Sequence, residues 1–156
     1  MTIATTIERH LTERGVPFDL VTHPRTPSAT RTAQAAHISG ECVAKTVVLH
    51  DDAGYLLAVV PATHRVELES IRRLLDRRLS LATESEIATL FEDCDLGAVP
   101  PLGAAYGLEV LVEETLSAQP EIYFEGGDHT SLVHVAARHF EDLMSEARHA
   151  RFSHHA

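Results

Sequence analysis

Cys42-Val43-Ala44-Lys45-Thr46-Val47-Val48-Leu49 is an apolar, β-branched run of strand length, bounded by Ser39-Gly40 before it and by Asp51-Asp52-Ala53-Gly54 after it. That framing predicts a buried strand running into a turn. One residue is out of place. Alternation of side chains puts Lys45 on the same face as Val43, Val47 and Leu49 rather than opposite them. It is also the only lysine, the other twelve basic residues all being Arg. A compact, titratable ammonium is therefore used at this one position, which makes Lys45 the first candidate for a functional side chain. A strand lysine can also lay its stem along apolar surface with its head in water, or guard a sheet edge against aggregation. The residue alone leaves both readings open.

Outward from this run, Tyr55 to Val60 predicts a second strand paired to the first as a hairpin, ended by Pro61. Upstream, Ile3, Ile7 and Leu11 recur at helical spacing before Gly15 and predict a helix over 2–14. A short strand from Phe18 to Val21 follows. His23-Pro24-Arg25-Thr26-Pro27 is a loop, because its two prolines deny helix and ladder alike. The Ala-rich segment Thr30 to Ile38 predicts a helix. Downstream come a helix over Glu67 to Leu75, a strand over Leu79 to Ala82, and a capping box Thr83-Glu84-Ser85-Glu86 opening a helix from Ser85 to Phe91. Beyond the loop at 97–103, strands are predicted at Leu108 to Val112, Glu121 to Phe124 and Ser131 to Val135. The last helix is predicted from Ala137 to Arg148, with a polar tail over 151–156. The sum is one mixed α/β domain over residues 1–150, with six or seven strands and peripheral helices.

Length and composition agree with this. A chain of 156 residues with 44% apolar content suits one domain with a real core. No run approaches the roughly 18 apolar residues of a membrane span, and the first fourteen residues are polar, so a cytoplasmic protein is expected. Cys42 and Cys94 form no CxxC pair and fit reduced thiols. The net charge of −10 is uneven: residues 1–80 carry 10 basic and 9 acidic side chains, residues 81–156 carry 3 and 14. Phosphate contacts dominate nucleic-acid affinity, so this balance counts against DNA and limits any nucleic-acid partner to a small footprint.

Two further stretches could carry chemistry. Gly97-Ala98-Val99-Pro100-Pro101-Leu102-Gly103 is stiffened by adjacent prolines and has glycines at both ends, so it can present backbone N–H groups in a fixed array. It reads equally as a rigid connection. Gly126-Gly127-Asp128-His129-Thr130-Ser131 combines a turn with donors, acceptors and an imidazole. Eleven histidines invite a metal reading, yet His129, His134 and His139 are five apart, and no HExxH or Cys/His cluster occurs. No metal or cofactor is expected. GxSxG, GxGxxG and P-loop motifs are lacking too.

In order, Thr32-Ala33-Gln34-Ala35-Ala36, Ala44-Lys45-Thr46-Val47-Val48, the loop at 97–103 and Gly126-Gly127-Asp128-His129 resemble the YbaK/ProX family, free-standing relatives of the editing domain inserted in bacterial prolyl-tRNA synthetases. The resemblance covers about Phe18 to Phe140. It implies a strongly curved mixed sheet and a trans-editing hydrolase that deacylates mischarged tRNA, prolyl-type tRNA bearing a small non-cognate amino acid being the expected substrate. It implies that Lys45 holds the phosphate or ribose of the terminal adenosine, with Thr46 beside it. Gly103, behind Pro100, Pro101 and Leu102, would give backbone contacts to the aminoacyl group, while His129 and Thr130 would line the pocket. Asp128-His129 departs from the basic residues that other members often carry after the paired glycines. The acceptor end of the tRNA is the implied partner, and an aminoacyl-tRNA synthetase is a second one to consider. Two other readings compete: a non-catalytic module binding aminoacyl-tRNA or a synthetase, and a small-molecule esterase with the same pocket.

Overall fold

The computed structural model describes residues 3–26 and 28–156. Its strands are β1 (Asp19–Thr22), β2 (Val43–Asp51), β3 (Gly54–Pro61), β4 (His64–Val66), β5 (Ser80–Leu81), β6 (Glu109–Glu113), β7 (Glu121–Glu125), β8 (Ser131–Ala136), β9 (Arg148–Ala150) and β10 (Ser153–His155). Its α-helices are α1 (Thr5–Glu13), α2 (Ala29–Ala35), α3 (Leu68–Leu75), α4 (Glu84–Leu90) and α5 (Ala137–Leu143). The main sheet runs β1-β8-β7-β2-β3-β6-β9, with β5 added to β2. β2 is antiparallel to β3 and parallel to β7, so the expected mixed α/β architecture is borne out.

The β2–β3 hairpin is the centre, and its turn is built from side-chain chemistry. Asp51 Oδ1 accepts from the Ala53 and Gly54 amides at 2.9 and 3.2 Å, replacing ladder bonds that the turn interrupts. Arg77 closes a two-pronged bond on the same carboxylate at 2.8 Å per prong, which holds its pKa down at about 2. The hairpin separates two packed regions. Ile7, Leu11, Val59, Phe124 and Phe140 fill one side, and Leu49, Ala58, Ile71, Leu79 and Phe152 the other. α3 packs on the Leu49 side of the hairpin, and α4, opened by the predicted capping box, packs against Val48 and Leu57.

Three short strands were not predicted, and the C-terminus differs from the expected helix and tail. α5 stops at Leu143 rather than Arg148. Leu143 and Met144 turn into the core, and Arg148–Ala150 adds to β6 in parallel. Beyond it, Phe152 is buried and Ser153–His155 pairs with β4. The buried Glu113 draws this segment in: its Oε1 accepts from the Phe152 and Ser153 amides at 3.0 and 2.9 Å and from Ser153 Oγ at 2.6 Å. One aromatic side chain and one buried acceptor thus order a stretch whose composition is otherwise polar. Among the described residues no helix is long and apolar enough to cross a membrane.

Candidate functional site

The sheet is open at one place. β7 pairs with β2 only at Val43 and Ala44, and β5 pairs with it only at Leu49 and His50. Val48 O accepts from Ala82 N at 2.9 Å, so Val48 turns its backbone groups toward that edge. Thr46, two residues away, has the same orientation, and its N–H and C=O point into the gap between the two neighbours. Its Oγ1 is buried with no hydrogen-bond partner among the described residues. A buried polar atom without a partner is costly, and a site that receives a ligand is one place where it is tolerated.

A cavity of about 670 Å³ fills this gap. That size lies within the range of about 300–1,000 Å³ usual for small-molecule sites. The cavity follows β2 from Val43 to Val48, roughly 16 Å at about 3.3 Å per residue. Its two ends differ. Near Val43 the wall is polar: Arg25, Thr26, Ser28 and Thr32 come from the loop after β1 and from α2. Ser28 caps α2 by accepting from Arg31 N at 3.2 Å, and Thr26 and Thr32 share a hydroxyl hydrogen bond of 2.5 Å, which fixes this wall. Near Val48 the wall is apolar, with Ala82, Ile87 and Val99 packed around that residue.

Lys45 stands at mid-length. On its face of β2 it interrupts the apolar packing between the group around Val43 and the group around Val47 and Leu49. Its Nζ donates to the His64 carbonyl at 2.7 Å. Burial lowers its pKa and the neighbouring Arg65 lowers it further, while among the described residues no carboxylate pairs with it. A half-buried cation without a counter-ion is suited to an anionic ligand.

The far rim is a latch. His129 has φ +64°, a left-handed conformation uncommon for any residue with a Cβ. Asp128 imposes it: Oδ1 accepts from the Thr130 and Ser131 amides at 3.0 and 2.8 Å, and Oδ2 from Ser131 Oγ at 3.0 Å. The turn then aims the His129 Nε2–H at the Leu96 carbonyl, tying β7's turn to the 96–99 loop. Gly97 lies under the imidazole at φ +83°, and a Cβ there would sit 3.1 Å from His129 Cε1. Gly97→Ala is therefore expected to cost about 1–2 kcal/mol from the left-handed backbone alone and to push the latch aside. Thermal unfolding checks it, and an unchanged midpoint would contradict the constraint.

The structure gathers Lys45, Thr46 and His129 on one cavity and leaves Pro100, Pro101, Leu102, Gly103 and Thr130 out of its lining. Pro100 to Gly103 are buried. A Cβ on Gly103 would meet Val110 Cγ2 at 2.3 Å, so this glycine permits close packing against β6. Gly126 and Gly127 play a similar part against Ile3 and Ala4. Both thiols are raised by burial, Cys94 to about 11, and neither is poised as a nucleophile. Among the described residues no three His, Cys, Asp or Glu side chains are arranged to hold a metal ion. The sequence singles out Gly97 only as the glycine opening the proline loop, and it gives no signal for two lining or adjacent side chains, Glu125 and His23. Glu125 lines the cavity at the end of β7, and His23 lies behind it with its side chain 1% exposed.

The fold has solved relatives. A scaffold protein from a study of epitope backbone grafting is 26% identical, with a TM-score of 0.84 over 97% of this chain and 97% of its own. A candidate trans-editing enzyme for prolyl-tRNA synthetase is 27% identical, with a TM-score of 0.83 over 96% of this chain and 95% of its own. A hypothetical protein at 22% identity shares the fold, with a TM-score of 0.84 over 96% and 99%. Among curated proteins none matches. The family model for the aminoacyl-tRNA editing domain matches residues 23–143, a span that holds β2, the 96–99 loop and the His129 turn, and the chain belongs to that family.

Proposed function

We propose that the protein hydrolyses the ester of mischarged aminoacyl-tRNA, with a prolyl-type tRNA carrying a small non-cognate amino acid as substrate. The observation that carries this reading is the Lys45 ammonium, without a carboxylate partner among the described residues, at the middle of a cavity polar at one end and apolar at the other. The terminal adenosine occupies the polar end, Lys45 holds its phosphate or ribose, and the aminoacyl side chain lies toward Ala82, Ile87 and Val99. Thr46 offers its hydroxyl and backbone groups to the ribose. Across the cavity, Ala98 N–H is occupied by Asp95 O at 3.1 Å. The Gly97 and Val99 amides have no acceptor among the described residues, so they are available to polarise the ester carbonyl. Gly103 and the paired prolines stiffen this loop from below.

The ester is already activated, so positioning and carbonyl polarisation supply much of the rate without a protein nucleophile or a metal. Contact limited to the acceptor end also reconciles a tRNA substrate with a net charge of −10. An apolar wall separates amino acids differing by one methylene by only about 1–3 kcal/mol, so the preference is graded. The test is a deacylation panel of tRNA-Pro charged separately with alanine, serine, cysteine and proline. Release of one non-cognate amino acid well above proline is expected. Tight binding of all four with no hydrolysis beyond the spontaneous rate would replace this reading by that of a binding module.

A further inference from the structure

Buried His23 and largely buried Glu125, its side chain 14% exposed, form a pair that the reading above does not use. His23 Nδ1–H donates to the Pro24 carbonyl at 2.9 Å, which leaves Nε2 directed at Glu125 Oε1 across 3.7 Å. Among the described residues His23 Nε2 has no hydrogen-bond partner, and neither does Glu125 Oε2. Glu125 lines the cavity together with Lys45, Thr46 and Gly97, and because Oε2 is shut off from solvent, Oε1 is the oxygen that water can reach. A carboxyl oxygen open to a cavity that must admit water is where a nucleophilic water can be held.

We infer that Glu125 is the general base of the hydrolysis and that His23 is its positioning residue. This assignment rests on the deacylase reading. A water held by Glu125 Oε1 attacks the ester carbonyl carbon, its proton passes to the carboxylate, and the carbonyl π pair moves onto oxygen. Collapse of the tetrahedral intermediate breaks the bond to the ribose oxygen, which takes the proton back from Glu125. Free amino acid and a ribose hydroxyl leave. Burial raises the Glu125 carboxyl to about 7 and Asp128 pushes the same way, so it exchanges a proton near neutrality, where a base works best. The other charged or titratable groups around it are His23 and Arg25 from the loop after β1, Lys45 from β2, and His129 from its own turn.

The experiment is single-turnover deacylation from pH 5.5 to 9 by the unmodified protein, Glu125→Gln and His23→Gln, corrected for spontaneous hydrolysis. The unmodified protein should show a rate that climbs through an inflection near pH 7 and then levels. Glu125→Gln should be about 100-fold slower at pH 8 and lose the inflection, as expected for removal of a general base. His23→Gln should move the inflection while keeping it. An active protein with no inflection between pH 6 and 8 overturns the assignment even if a variant fails to fold. A Glu125→Gln protein with undiminished rate overturns it as well and leaves the deacylase reading standing. Failure of the unmodified protein on every ester overturns that reading and this inference together.

Discussion

Lys45→Ala is expected to lower kcat/KM for deacylation about 1,000-fold, roughly 4 kcal/mol of transition-state stabilisation, with the fold retained. The size follows from what the ammonium lacks. It is half-buried, donates to one backbone carbonyl at 2.7 Å and has no carboxylate among the described residues, so most of its charge is free for the substrate. A charge-assisted hydrogen bond is worth about 1.5–3 kcal/mol, and misplacing the ester relative to Gly97 and Glu125 adds to that. The fold should survive because two effects oppose. Truncation loses the bond to His64 O and the packing of the stem, but it also removes a buried cation whose lowered pKa marks a desolvation cost. Lys45→Met keeps the stem and separates charge from packing. Rates for both variants with circular dichroism spectra and unfolding midpoints check this, and a fully active Lys45→Ala would remove Lys45 from the site.

The hairpin around β2 was legible because a β-branched run, an Asp-rich turn and a closing proline all act within twenty residues. Lys45 was legible for a compositional reason, as the one lysine in an arginine-using chain. The gap beside it was not. It exists because β7 and β5 reach β2 from sequence positions 30 to 80 residues away and leave Thr46 between them, a register that no local pattern encodes. The two glycines of the proline loop show the same limit. Gly97 is needed for its φ of +83° and Gly103 for space beside Val110, and a sequence displays both simply as Gly. Glu125 was hidden by alternation. In Glu121-Ile122-Tyr123-Phe124-Glu125 the odd positions read as a polar outer face, and for Glu121 and Tyr123, half-exposed and bonded to each other at 3.1 Å, that holds. Only the folding back of the His23 loop over the strand end turns the last of them into a buried group.

Glu125→Gln is expected to stabilise the protein by about 3 kcal/mol at pH 8 and to leave its stability at pH 4 almost unchanged. The buried carboxyl binds its proton more tightly in the folded chain, at about 7, than in the unfolded chain, near 4.5. Between these values the native state holds more protons than the unfolded one, so stability is greatest below pH 4.5 and falls as pH rises through 7. Ionisation in this setting leaves a charge facing Asp128, with Oε2 buried and unpaired among the described residues. A glutamine keeps the shape and never ionises, so it escapes that loss. Denaturant unfolding of both proteins at pH 4, 6 and 8 measures it, and parallel pH curves for the two would refute the elevated carboxyl. The stability result constrains the catalytic one. A carboxyl raised by burial weakens the fold above its pKa whatever its role, so the stability curves establish the ionisation and the pH profile of the rate assigns its use. One substitution that strengthens the protein above pH 7 and slows the reaction there would tie both effects to the same ionisation.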